Sequence, residues 1–263
     1  MTVPAPYSAW LEHALPGPVR GEPLTTCDAC PLCTAPVPGE PRFTPDVKCC
    51  GYLPRLPNFQ VGRALRGGGA GAASVRARIE ARVATSPLGL GCPPDYAAAW
   101  EHRNRTTGFG SDPDLVCPHF DAGRCTIWAA REAVCTTWFC RPDRGAAGQD
   151  FWLALRALLQ VVESAASRWA LEQLGLDPTR QPVGWGGFLD DREALFLATA
   201  EQVDGLDWTT LRARGGFELP GNRYPHNAGK CLSLPGWRGG HRSEDPLTWW
   251  RRSSGKIVDR GLI

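Results

Sequence analysis

The chain has 263 residues, 43% of them apolar and eleven of them Trp, with a formal net charge of +2. That composition predicts a packed globule with a sizeable core and argues against disorder. Near-neutral charge gives no support to a nucleic-acid or membrane-surface partner, either of which wants a concentrated basic field.

The opening stretch, "MTVPAPYSAWLEHALPGPVRGEP", has no basic n-region followed by an apolar run. No stretch reaches the apolar length that spans a bilayer, so the expectation is a soluble, cytoplasmic chain with reduced thiols. A short helical patch covers Tyr7 to Ala14. A Pro-rich, Cys-rich coil follows to about residue 60, with prolines at 31, 36, 38, 41, 45, 54 and 57 that exclude long helices. Such a segment needs an inorganic centre or the rest of the protein to hold its shape.

"RGGGAGAAS" reads as a flexible loop leading into "VRARIEARV", an amphipathic helix with Val75, Ile79 and Val83 along one face. "PPDYAAAWEHR" reads as a short helix, and "TTGFGSDPDL" as a turn. The clearest element is "GQDFWLALRALLQVVESAASRWALEQLG". Trp152, Leu155, Leu159, Val162, Ala166 and Trp169 recur there at three- and four-residue steps, and Gly175 supplies a stop. A second helix, "DDREALFLATAEQV", has Asp190 or Asp191 as its N-cap, and "DWTTLRARGG" is a short third. Strand signals are weak throughout, and the tail from 217 lacks periodicity.

Cysteines carry the chemistry. "TTCDACPLCTAP" sets Cys27, Cys30 and Cys33 at three-residue intervals, and "DVKCCGYLP" sets Cys49 beside Cys50. A second block, "CPHFDAGRCTIWAAREAVCTTWFC", carries Cys117, Cys125, Cys135 and Cys140. Eleven cysteines in a chain of this length are too sparse and odd in number for a disulfide scaffold, so metal ligation is the better explanation. C-x2-C is half of a tetrahedral zinc site and equally a part of iron–sulfur ligation. The triplet matches the first three positions of a ferredoxin-type run, but Val37 stands at the fourth. Adjacent side chains diverge, so one of Cys49 and Cys50 can serve one metal and its neighbour a second, or be a small buried hydrophobe. The irregular gaps of the second block favour an iron–sulfur cluster over zinc. His119 is expected to be hydrogen-bonded or solvent-facing rather than a ligand, and Cys92 and Cys231 to be non-ligands.

"KCC" followed by the second block is similar to the YkgJ-like cysteine-cluster family of zinc- or iron-chelating proteins. That family shows C-x2-C-x2-C-C and later C-P-[FY]-[LF] with C-x-I-[YW]-x-x-R-x-x-x-C. Cys117-Pro118-His119-Phe120 fits approximately, while Cys125, Ile127, Trp128, Arg131 and Cys135 fit closely. Glu132 replaces the usual proline, and the doubled cysteine comes sixteen residues after the triplet. The resemblance covers about 27–50 and 117–140. It implies a metal or iron–sulfur centre, and some relatives resemble flagellin lysine methylases, so it admits an oxidoreductase or a protein-modifying enzyme.

Other motifs fail. Gly67-x-Gly69-x-x-Ala72 follows no strand of a βαβ unit, and "NAGKCL" lacks the glycine and hydroxyl of a phosphate loop. Asp190, Asp191 and Glu193 stand where helix starts attract carboxylates. Trp249 and Trp250 are expected to pack the tail onto the core. The expected fold is mostly α, with extensive irregular Cys/Pro-rich loops organised around a metal centre. It divides into a cysteine-cluster metal-binding region (1–145), a helical region packing on it (146–216) and an irregular tail (217–263). Two groupings of ligands are open: two four-thiolate sets, or one centre drawing on both blocks. The expected function is a redox or protein-modifying role with a redox or protein partner. The alternative is a structural zinc module in which the metal contributes on the order of 10 kcal/mol to folding.

Overall fold

The computed structural model describes residues 3–15, 18–19, 21–22, 30, 33, 43–106, 110, 112–139, 142–180 and 182–214. Cys27, Cys140, Cys231, Trp249, Trp250 and the whole of 217–263 lie outside the described residues. The fold is mostly helical with small sheets. In chain order the helices are α1 (Tyr7–Ala14), α2 (Asn58–Gly67), α3 (Gly69–Ala81), α4 (Pro94–Thr106), α5 (Ala133–Thr137), α6 (Gly145–Gln173), α7 (Arg192–Asp204) and α8 (Trp208–Arg214).

Helix α6 follows its periodicity. Trp152, Leu155, Leu159, Val162 and Ala166 are buried along one stripe, while Trp169 packs at its margin. It ends in a Schellman motif: Leu176 N–H bonds Leu171 O at 2.9 Å and Gly175 N–H bonds Glu172 O at 3.0 Å. Gly175 sits at φ 73°, the left-handed conformation that this cap requires. The stripe faces α1, whose Tyr7 and Trp10 are buried against it. Tyr7 hydroxyl donates to Glu163 on α6, and Trp10 Nε1 donates to Leu206 O at 2.8 Å. Both tips of these amphipathic rings are therefore satisfied inside the core.

Two expectations from the glycines and prolines are overturned. "RGGGAGAAS" is not a flexible loop: α2 runs to Gly67, Gly68 is the joint at φ 68° and ψ −165°, and α3 starts at Gly69. Val83 does not share the face of Val75 and Ile79. Arg82 turns left-handed at φ 57° and ends α3, leaving Val83 53% exposed.

Helix α2 is the centre of the molecule. Its Phe59 joins the α1/α6 core, while Val61, Ala64 and Leu65 join a second core with Val75, Ile79, Ile127 and Phe196. Gly62 makes this possible, because a Cβ there would stand 1.9 Å from Phe196 O on α7. Tertiary packing thus outweighs the helix-weakening effect of glycine. Helix α7 starts as expected, with Asp191 Oδ1 accepting from Ala194 N–H at 2.9 Å, and Glu193 pairs with Arg76 at 2.8 Å.

Asn58 opens α2 fully buried and fully bonded. Its Nδ2 donates to Pro87 O and Ser167 O, each at 3.1 Å, and its Oδ1 accepts from Phe59 N–H at 2.8 Å. A small antiparallel sheet, in the order β1 (Leu56–Pro57), β3 (Gly89–Leu90), β2 (Thr85–Ser86), closes over this end. No helix among the described residues is long and apolar enough to cross a membrane.

Candidate metal centre

The segment after Pro45 and the segment before the second cysteine block run side by side. Cys117 N–H donates to Cys50 O at 2.6 Å. Next to that bond the backbone leaves no room for a side chain: a Cβ on Gly51 would stand 2.9 Å from Leu115 O. The Tyr96 hydroxyl of α4 reaches both chains, 2.7 Å from Gly51 O and 3.2 Å from Leu115 O. Three groups thus clamp Cys50 against Cys117.

A two-residue hairpin then returns the chain. Strand β4 (Phe120–Asp121) pairs with β5 (Arg124–Cys125), Phe120 opposite Cys125, around Ala122 and Gly123 at φ 45° and 78°. Two positive φ values make a turn whose twist matches the strands. Thr126 N–H closes the base on His119 O at 2.8 Å. Beyond it Glu132 caps α5, accepting from Val134 N–H at 2.5 Å and Cys135 N–H at 2.8 Å. The Glu132 carboxylate therefore orients the helix that carries Cys135.

Thiols from both blocks influence one another electrostatically, pair by pair. Cys117 lies within electrostatic reach of Cys50, Cys125 and Cys135, and Cys125 within reach of Cys50. Burial, then its neighbours, pushes the Cys117 thiol up to about 12 and the Cys125 thiol up to about 11. Burial, then the Glu132 charge, raises the Cys135 thiol well above its ordinary value. Cations lie beside them. Arg78 faces Cys117, Arg131 faces Cys125, and Arg156 faces both Cys135 and Glu132. Arg131 is held in place by stacking 3.4 Å from the Trp128 ring centroid and by donating from Nε to Trp128 O at 2.9 Å.

His119 is spoken for at both nitrogens. Arg78 Nη1 stands 3.1 Å from Nε2 and can only donate, so Nε2 accepts and Nδ1–H points to Ser74 Oγ at 2.8 Å. Ser74 in turn donates to Gly71 O at 2.8 Å. The ring is 1% exposed. Burial and the guanidinium bring its pKa down to about 3, so it is neutral. Of the two expectations for this residue, the hydrogen-bonded one holds and the solvent-facing one does not.

Cys33 and Cys49 pack against a small buried cluster of Cys30 and Phe43, and Cys33 N–H bonds Cys30 O at 3.0 Å. Cys92 lies near Arg78 and Tyr96. The eight described cysteines form no disulfide with one another. Among the described residues, no three His, Cys, Asp or Glu side chains meet in the geometry that grips a metal ion. In chemical kind, thiols with guanidinium charge nearby suit a thiophilic metal.

Arg78, Tyr96 and Arg156 were not legible as parts of this site. Each lies on a helix distant in sequence from both cysteine blocks, and no spacing rule links them. No family model, curated protein or solved structure matches the chain.

Proposed function

We propose that this chain is a cysteine-cluster metalloprotein of the YkgJ-like kind that binds an iron–sulfur centre and serves a redox or protein-modifying reaction. The observation that supports this reading is that Cys50, from the first block, and Cys125 and Cys135, from the second, each lie within electrostatic reach of Cys117. Cys50, Cys117, Cys125 and Cys135 would hold the group, which when bound supplies single-electron transfer or, with an open iron site, substrate activation.

The chain's own residues do the rest. Thiols raised this far by burial stay protonated unless a metal displaces the proton, so ligation is the means by which they would ionise. A centre bound by four thiolates is anionic, and Arg78, Arg131 and Arg156 would offset that charge in a setting of low dielectric. Cys135 lies in hydrogen-bond contact with the Glu132 carboxylate, which gives its proton a first acceptor. Tyr96 and the Cys117–Cys50 backbone bond orient the two halves. The Trp128 side chain covers Arg131 at the partly exposed edge.

Purification of the full chain without oxygen is the test. A brown protein with broad visible absorbance and matching iron and acid-labile sulfide supports the proposal. A colourless protein with stoichiometric zinc replaces it by the structural zinc module. A folded protein carrying neither metal rejects both.

A further inference from the structure

Cys50 and Cys117 meet through their backbones, the Cys117 N–H donating to Cys50 O at 2.6 Å. Standard bond lengths on either side of that contact keep the two Cα atoms under about 6.8 Å apart even with every angle straightened, and real angles bring them closer. Disulfides span Cα separations of about 4.4–6.8 Å. We infer that Cys50 and Cys117 are a reversible redox pair, open as two thiols under reducing conditions and closed as a disulfide when a small-molecule disulfide oxidises the metal-free chain. The inference goes beyond the proposed function and does not rest on it.

Three observations carry it. First, the approach is built into the fold and needs no ligand. Gly51 and Leu115 leave no room between the two segments, a Cβ on Gly51 standing 2.9 Å from Leu115 O, and the Tyr96 hydroxyl bonds both carbonyls. Second, the thiols as well as the backbones are neighbours: of the cysteines that act on the Cys117 thiol, Cys50 acts most strongly, ahead of Cys125. Third, the two differ in access, Cys50 being half-buried and Cys117 only 8% exposed.

That difference sets the order of events. The Cys50 thiolate attacks the small disulfide, forms a mixed disulfide and releases one small thiol. Cys117 then attacks the Cys50 sulfur, the second small thiol leaves, and the Cys50–Cys117 bond forms. The protein thiols lose two electrons, the small disulfide gains them, and both protons leave on the small thiols. Burial of Cys117 slows its attack, while its place beside Cys50 makes that step intramolecular. The sulfurs so joined are no longer available to a metal, so oxidation and metal binding at this junction are alternatives.

The test uses the full chain with a chelator present throughout, first reduced and then exposed to oxidised glutathione. Alkylation and peptide mass spectrometry read every cysteine. The expected product is a Cys50–Cys117 cross-linked peptide, more abundant than any other pairing and lost on adding dithiothreitol. Cys117→Ala should instead accumulate glutathione on Cys50, and Cys50→Ala should form no bridge to Cys117. Bridging of Cys50 mainly to Cys49 or Cys125 overturns the inference, as does scrambled pairing, or glutathione that stays on Cys50 in wild type. The wild-type map decides this without a folded variant. Metal counted before chelation decides the proposed function separately, since a chain that never holds metal can still close this bridge.

Discussion

Cys117 donates its backbone N–H to the carbonyl of Cys50 at 2.6 Å, across 66 residues of intervening chain. Tyr96 seals the same junction from α4, its hydroxyl 2.7 Å from Gly51 O and 3.2 Å from Leu115 O. Tyr96→Phe removes one donor from two crowded carbonyls and leaves the ring packing intact. The expected cost is about 1–2 kcal/mol of stability by urea denaturation. Metal affinity should weaken roughly tenfold, measured by competition with a chelator. Unchanged affinity would mean that this clamp does not orient the thiols.

His119 separates a supporting role from a ligating one. His119→Ala strips one acceptor from the half-buried Arg78 guanidinium, which keeps its bond to Gly91 O, and the loss should be about 2–4 kcal/mol in denaturant. Metal per chain should equal that of wild type, whereas Cys117→Ser should lose it. A His119→Ala protein that folds but carries less metal would reassign the ring as a ligand.

Glu163 predicts a pH dependence. It is buried on α6, accepts from the Tyr7 hydroxyl and from Ala133 N–H at 2.7 Å, and no cation pairs with it among its resolved influences. Burial, then the nearby Glu132 charge, raises its pKa well above the ordinary carboxylate range. The folded state therefore holds a proton that the unfolded state releases. That contribution to stability is complete below the ordinary carboxylate pKa of about 4.3 and is lost as pH rises through the raised value. Glu163→Gln keeps the acceptor oxygen and removes the titration. Between about pH 5 and pH 8 the Tm of wild type should fall by about 2–4 °C more than that of the variant, followed by calorimetry. Parallel Tm–pH curves would show that Glu163 is ionised in the fold.

The long helix was legible because its evidence is local. Trp152, Leu155, Leu159, Val162 and Ala166 state a period, and Gly175 states a stop. Asp191 was one of two candidate caps, and the structure selects it. Helix α2 and the start of α3 were illegible for the opposite reason. Glycines at 62, 67, 68, 69 and 71 have low intrinsic helix propensity, and what makes α2 a helix is the approach of α7 that Gly62 permits. The mostly helical class was therefore readable, while the central helix pair was not.

The candidate site divides along the same line. Sequence alone nominated cysteine as the candidate ligand type, because sulfur spacing is a property of a few consecutive residues. It also left the grouping of those sulfurs open, since spacing says nothing about which distant loops become neighbours. Only the tertiary structure put Cys50 within reach of Cys117 and Cys125 and packed Cys33 and Cys49 against Cys30 and Phe43. It alone brought Arg78, Arg131 and Arg156 beside the thiols and turned His119 inward. The physical reason is that desolvation and charge depend on what lies within a few ångströms in space, and the packing of α2 against α7 and of the hairpin against α3 sets those distances.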